Sequence, residues 1–474
     1  MAAQGATGPP PLLRAHSFSF SHNAHLRSSL LDIERQTTDL EVQLAHLLLE
    51  KKKILEQLNS IIYPVLSLPT ELTCGIFQRC AGSPLVLAGV CSAWRAVAIS
   101  TPALWKHFKH ARSSRDTLYS RLVSWLPRAG NLPLSVDIDL FNAASPDAIL
   151  ALLATYTSQW KSLAITSPRS IPFFVDAPRA PFSHLETLGL DIHLRHGEMP
   201  PCMTAFEAAP RLRDVSLSGV SLLHVTLPWT RLTTLTVTRQ SVAQCVLILA
   251  QTPNLETLST RALSDDPAPT PPAPPLVLPH LHTLKMHFKL TLLDHLTLPA
   301  LARLELTKLS AAGLWRLESH VMRTSLQART LILHDTEYPW AHDCISLLPA
   351  LTDLALDAAA WPPADVNSLL AELGAPCELL PALASLRIEG CRNDVDFRAL
   401  AAMSAARRQA PEGAPRLVSL RIAFADESDP ATPAVRAAML RLVQLRARGL
   451  ALELHSPPGW AAQMMNELEH PIPR

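Results

Sequence analysis

The sequence is poor in several features on which large classes of protein depend. Only 15 of its 474 residues are glycine, which argues against glycine-rich phosphate loops. Neither GxxxxGK[ST] nor a strand-associated GxGxxG occurs, and HExxH and GxSxG are absent as well. The eight cysteines, at 74, 80, 91, 202, 245, 344, 377 and 391, form no CxxC pair. A chain of this length needs no disulfide staples, so they read as reduced thiols of a cytoplasmic or nuclear protein. Neither sign of charge dominates: 42 Lys and Arg face 41 Asp and Glu, for a net charge of +1. That balance lacks the footprint of a general nucleic-acid binder. No apolar run approaches the ~20 residues of a membrane span, and residues 1–25 hold no apolar signal core. Aromatics are only 5%.

Leucine and proline (41 residues) are abundant instead, a bias that points to helices, a coiled coil or leucine-rich repeats. After a polar lead-in over 1–25, expected to be disordered, spacings of four and three alternate. They link Leu26, Leu30, Ile33, Thr37, Leu40, Leu44, Leu47, Lys51, Ile54, Leu58 and Ile61. A period of 3.5 keeps these on one face, the seam of a left-handed coiled coil. The segment 26–63 is therefore expected to be a helix ending at Pro64. Lys51 interrupts the seam, and Leu48 and Leu55 widen it. Two readings stand: a homodimer through residues 26–62, or an amphipathic helix packed on its own chain.

The segment 64–110 reads as a small all-α module. Leu68-Pro69 precedes a helix with Leu72, Ile76 and Phe77 on one face. Ser83-Pro84 restarts a helix with a cap and a proline at its first position. A third helix carries Cys91, Trp94, Val97 and Ala98, with Cys91 expected in its core. Three short helices in ~40 residues cannot bury a large core, so such a unit finishes it on a partner or neighbour. The residues Leu68-Pro69, Glu71, Ile76-Phe77, Leu85, Val90-Cys91, Trp94-Arg95 and Leu104-Trp105 make the segment resemble an F-box. Cys80-Ala81 departs from the family pattern, where many members place a leucine. With the heptad helix running into Tyr63-Pro64-Val65-Leu66, the chain looks similar to a fungal, mushroom-type F-box subfamily. The resemblance implies docking on the Skp-type adaptor of an SCF cullin–RING ubiquitin ligase. It would place the contact on Leu68, Pro69, Leu72, Ile76, Leu85, Val90 and Trp94. Trp94 and Ile76 have a second reading, as filling of the module's own small core.

From 111 to 455 a different pattern recurs: a proline or similar opener, leucine, two residues, leucine, one residue, leucine. Copies begin at Trp160, Leu185, Leu212, Leu232, Leu255, Leu281, Leu301, Ala328, Leu351, Leu383, Leu417 and Gly449. The gaps run from 20 to 27 residues up to Leu351 and from 32 to 34 beyond it. The shorter period fits leucine-rich repeats, in which LxxLxL forms one strand of a parallel sheet. Alternation turns the strand leucines inward and the residue between them outward. Helices are expected to open at Ser145-Pro146-Asp147, over Ser241 to Gln251, over Ala364 to Leu373, and from Thr432-Pro433 to Arg448. The 20-residue repeats are too short for a full helix and should return in extended form. The asparagine of a regular repeat is missing throughout. The expected fold is thus α/β: an irregular leucine-rich-repeat solenoid with convex helices, preceded by the small helical module and the heptad helix. A proline-rich insertion occupies 265–279, and 456–474 reads as a tail.

No enzyme constellation emerges, and no cofactor or metal is implied. His280, His282 and His287, with His295 nearby, read as outward strand histidines. Outward positions of the strands start small and polar, at Thr187, Ser216, Thr234, Thr236, Thr257 and Ser259. Charged ones follow: Arg261, Lys285, Arg303, Glu305, Asp353, Arg387 and Arg421 are the candidate substrate-binding residues, with His287, Asp357 and Glu389 on the same face. The expected function is a non-catalytic substrate receptor. Its F-box resemblance implies a Skp-type adaptor and cullin as partners, and its repeats would hold an unidentified protein substrate; nucleic acid and membrane are not expected partners. The rival is a non-ligase repeat scaffold dimerising through the N-terminal helix.

Overall fold

The computed structural model describes residues 20–60, 68–80, 83–110, 117–169, 171, 182–193, 202–264, 274–392, 395–409, 416–425, 432–456 and 459–469. The expected disorder before residue 20, Tyr63-Pro64-Val65-Leu66, most of the proline-rich insertion and residues 470–474 lie outside these. The chain divides into two compact units, 1–98 and 99–474. The division falls inside the 64–110 segment, and Leu104 and Trp105 belong to the second unit.

The first unit begins with one long helix, α1 (Phe20–Ser60), which starts six residues before the heptad does. Its seam residues from Leu26 to Leu58 are each 52–64% exposed wherever they are leucine or isoleucine. Thr37, a polar member of the seam, returns its hydroxyl to the Ile33 carbonyl at 2.9 Å. Three short helices follow: α2 (Thr70–Arg79), α3 (Pro84–Val90) and α4 (Ser92–Ser100). Ser83 caps α3 as expected, its hydroxyl accepting from the Leu85 N–H. Cys91 was expected inside a helix and is instead the extended, half-buried residue between α3 and α4. Its sulfur accepts from the Trp94 N–H at 3.5 Å, so it ends one helix and starts the next.

The second unit is α/β. Fourteen parallel strands form one sheet in sequence order: β1 (His107–His110), β2 (Leu134–Asp139), β3 (Trp160–Ser167), β4 (Thr187–Ile192), β5 (Asp214–Ser218), β6 (Thr234–Thr238) and β7 (Thr257–Arg261). The second half comprises β8 (Thr283–His287), β9 (Arg303–Thr307), β10 (Thr330–His334), β11 (Asp353–Asp357), β12 (Ser385–Cys391), β13 (Ser419–Phe424) and β14 (Ala451–His455). A two-stranded pair, Leu276–Val277 with Leu296–Thr297, stands apart. This order is compatible with a solenoid-like α/β fold.

The twelve repeat positions carry β3 to β14, and two further strands, β1 and β2, precede them. Inward residues of neighbouring strands meet in direct register, as Leu284, Leu304, Leu331, Leu354, Leu386, Leu420 and Leu452 do. All seven are buried. They join one continuous core that runs from Trp105 to Met465. A stacked strand cannot bury its inward face alone, so each depends on both neighbours.

Local chemistry sets the return paths. Gly219, Arg239, Ala262, Phe288, Lys308 and Asp335 directly follow their strands, all with positive φ. The N–H groups of Arg239, Phe288 and Lys308 reach the last carbonyl of the next strand, which extends the ladder while the chain turns away. At Gly219 a side chain is excluded, because a Cβ would lie 2.1 Å from the Ile192 carbonyl oxygen. The two 20-residue repeats return through 3₁₀ turns and extended chain, as their length requires: Leu222–His224 and Trp229–Arg231 in the first, Thr291–His295 in the second.

Elsewhere helices follow the strands, after β1, β2, β6 and each of β9 to β14 in turn: α5 (Leu118–Trp125), α6 (Pro146–Ala154), α7 (Val242–Leu249), α8 (Ala311–Thr324), α9 (Tyr338–Ser346), α10 (Pro363–Glu372), α11 (Phe397–Arg408), α12 (Pro433–Ala447) and α13 (Trp460–Glu469). Ser241 and Thr432 cap α7 and α12 through their hydroxyls. Ser145 does not cap α6, whose start rests on Pro146. The stretch expected as a tail carries α13, which buries Trp460, Met464 and Met465. No helix of the described residues is long and apolar enough to cross a membrane.

Candidate functional site

Two surfaces combine exposure with residues that the sequence singles out. The first lies on the short helices of the first unit. Phe77 and Leu87 are buried there, and Trp94 packs edge-on to Phe77 at 5.0 Å. Around this small core, Leu68, Leu72, Ile76, Leu85 and Val90 remain 37–59% exposed, and Pro69 is exposed beside them. Val86 adds to the patch at 66%. Six of the seven residues expected to face an adaptor are therefore open. Trp94 is the exception: it is half-buried against Phe77, with its indole N–H buried and unpartnered. Ile76 is open rather than core-filling. Trp105, the last element of the motif, builds the second unit instead. Its carbonyl accepts from the Trp125 indole at 2.7 Å, and the two rings pack at 4.8 Å.

The second surface is the outward face of the sheet. Because the register is direct, the residues between the inward pairs form one row. It runs Ala164, Gly189, Ser216, Thr236, Ser259, Lys285, Glu305, Ile332, Ala355, Arg387, Arg421 and Glu453. Flanking rows hold Thr187, Asp214, Thr234, Thr257, Thr283, Arg303 and Asp353 on one side, and Arg261, His287, His334, Asp357 and Glu389 on the other. Asp214 is half-buried, and desolvation pushes its carboxyl up. Burial, then the Arg261 and Lys308 charges, hold His287 below its usual range despite Asp335.

The seven charged candidates are all outward, but not equivalent. Lys285 and Glu305 close an ion pair at 3.0 Å, with the His334 ring 3.6 Å from the other Glu305 oxygen. Asp353 accepts from the Thr352 hydroxyl at 2.6 Å. Arg421 reaches Glu453 at 3.4 Å. Among the described residues Arg261, Arg303 and Arg387 have no side-chain partner.

His280 and His282 were expected on a strand; both precede β8 and are exposed. They share an open groove with Arg213, Arg231, Asn254 and Glu256 at the sheet's N-terminal edge. Both arginines are committed to backbone carbonyls there, Arg213 to Arg231 and Arg231 to Pro210, each at 2.9 Å. That makes the groove a brace between repeats, which no spacing rule anticipated. Among the described residues no three His, Cys, Asp or Glu side chains converge on a point that could hold a metal ion. Burial pushes the thiols of Cys245, Cys344 and Cys391 up to about 12, so these are protonated and unreactive at neutral pH. Neither a protein-family model nor a curated protein matches the sequence.

Proposed function

We propose that the chain is the substrate-recognition subunit of an SCF-type cullin–RING ubiquitin ligase. In this reading residues 64–110 act as an F-box, and the stacked strands are irregular leucine-rich repeats that hold the protein to be modified. The observation that carries it is the open apolar patch of Leu68, Pro69, Leu72, Ile76, Leu85 and Val90 around a core of little more than Phe77 and Leu87. A module that leaves that much apolar side chain in water completes itself on a partner. The residues of the patch are those at which F-box resemblance places the Skp-type adaptor. The chain supplies no chemistry in this reading. It holds a substrate near the recruited ubiquitin-charged enzyme, which raises the effective concentration of the reacting groups.

The test is co-purification of adaptor and cullin with the intact chain and with the double variant Leu68→Ala, Pro69→Ala. Truncating interface anchors of this kind costs ~2 kcal/mol each, so adaptor recovery should collapse while the second unit's melting transition stays put. Undiminished recovery by the double variant defeats the F-box reading. One observation favours a second reading, a non-ligase repeat scaffold that dimerises through residues 26–62. The seam of α1 is exposed along its length. The same purification separates the two, because a scaffold would return self-association and unrelated partners without adaptor or cullin.

A further inference from the structure

Direct register makes the sheet a test of charge placement. Residues at equal positions on adjacent strands sit about 4.8 Å apart, where opposite charges attract and like charges destabilise. Among the described residues three in-register pairs of charged residues are opposite in sign: Lys109 with Asp137, Lys285 with Glu305, and Arg421 with Glu453. Each closes to an ion pair, at 3.2, 3.0 and 3.4 Å. Two others are like-charged. Arg387 lies directly beside Arg421, and Asp357 directly beside Glu389. These exceptions are contiguous, because Arg387 and Glu389 are two residues apart on β12 and so share its outward face.

Nothing among the described residues neutralises them from outside the rows. Arg387 and Glu389 are exposed and have no side-chain partner. Asp357 accepts only the Ala359 N–H, at 3.1 Å. Arg421 keeps Glu453 on one side, yet its Nε is buried with no acceptor. Beside the arginine pair, the central row turns to Ala355 and Ile332, both half-buried, so the charges border an apolar floor.

We infer that the outward face of β10 to β13 docks an extended protein segment. The segment places a carboxylate between Arg387 and Arg421, a lysine or arginine against Asp357 and Glu389, and an apolar side chain over Ile332 and Ala355. The adjacent acidic pair disfavours a polyanion, so a mixed-charge peptide fits and a nucleic acid does not. The inference rests on the reading of the sheet face as the substrate-capturing surface, and it names the chemistry of what is captured.

The probe is a phage-displayed library of random dodecapeptides selected on the full chain. Peptides enriched on the wild type should pair an acidic with a basic residue beside an apolar one. Their binding should fall about tenfold on Arg387→Gln and again on Glu389→Gln. Both side chains are exposed, so these variants should fold. Without peptide, Arg387→Gln should melt no lower than the wild type, because it removes a like charge placed in register with Arg421. Failure to enrich any such peptide, binding indifferent to both variants, a lowered melting point for Arg387→Gln, or Arg387-dependent capture of a single-stranded oligonucleotide in place of peptide each overturns the inference. Adaptor recovery does not involve this face. Its loss with peptide binding intact would fail the ligase reading alone, and its retention without peptide binding would fail this inference alone.

Discussion

His320 offers a test of how a return helix is held to the return path of the repeat before it. It sits on α8 with 1% of its surface exposed. Its Nδ1 lies 3.2 Å from the Leu293 carbonyl and 3.1 Å from an Arg323 nitrogen, and Nε2 is buried without a partner. Burial lowers its pKa to about 4; the Leu293 hydrogen bond opposes that shift and the Arg323 charge adds to it. The unfolded chain, at an ordinary 6.5, therefore binds a proton that the folded chain refuses between pH 6.5 and 4. Stability is full above 6.5 and is lost as pH falls through that window. The loss is about 2 kcal/mol at pH 5 and approaches about 3 kcal/mol below pH 4. Urea unfolding of the wild type and of His320→Gln at pH 7 and pH 5 measures it. The variant begins less stable, having lost the packed ring, but the gap should narrow by about 2 kcal/mol on acidification, since only the wild type carries the buried imidazole. Parallel curves for the two proteins would refute the account, because every other titrating group is common to both.

Two further predictions address strand phase and turn geometry. Leu304→Asp places an unpaired carboxylate between Leu284 and Leu331 at a cost of several kcal/mol, and should unfold more than one repeat. Glu305→Ala, which loses only the Lys285 and His334 contacts, should shift the thermal midpoint by the equivalent of ~1 kcal/mol or less; equal losses would mean the inward and outward faces are misassigned. Gly219→Ala drives a Cβ into the Ile192 carbonyl at φ +67 and should cost ~3 kcal/mol or more. Gly130 has φ +59 and ψ −130, outside the left-handed helical region, but nothing within 4 Å, so Gly130→Ala should cost ~1–3 kcal/mol in a melting comparison, from backbone strain alone.

The strands were legible because one spacing carries both their existence and their phase. Leucine, two residues, leucine, one residue, leucine marks a buried entry residue and two inward ones, and all twelve copies carry a strand. β1 and β2 escaped because His107-Phe108-Lys109-His110 and Leu134 to Asp139 lack the leading leucine. Four helices with a proline or hydroxyl start, α6, α7, α10 and α12, were readable. α5, α8, α9, α11 and α13 were not, although Ser310 precedes α8, a proline lies in the first turn of α9 and Asp396 caps α11, so a start signal alone does not mark a helix; α13 also follows a segment that looked like a tail. The outward charges were legible one by one, but not which of them pair. That depends on register between strands separated by 20 to 34 residues, which no local pattern states.

Register survives that variation for a physical reason. Each strand's phase is set by its own inward pair and entry leucine, so extra residues are taken up in the return path. There the entropic cost of a longer loop grows only slowly with length. The outward row is thereby freed from the task of holding the sheet together. A closed pair such as Lys285 with Glu305 contributes at most ~1 kcal/mol, and a like-charged pair such as Arg387 with Arg421 costs a similar amount. Both are small against the several kcal/mol at stake for one inward leucine. Substitutions along the row from Lys285 to Glu453 can therefore change the chemistry of the proposed docking face with little effect on whether it folds. The two contiguous like-charge exceptions are tolerable for that reason, and they occupy the part of the sheet where the charges of the proposed peptide would replace those the fold does not provide.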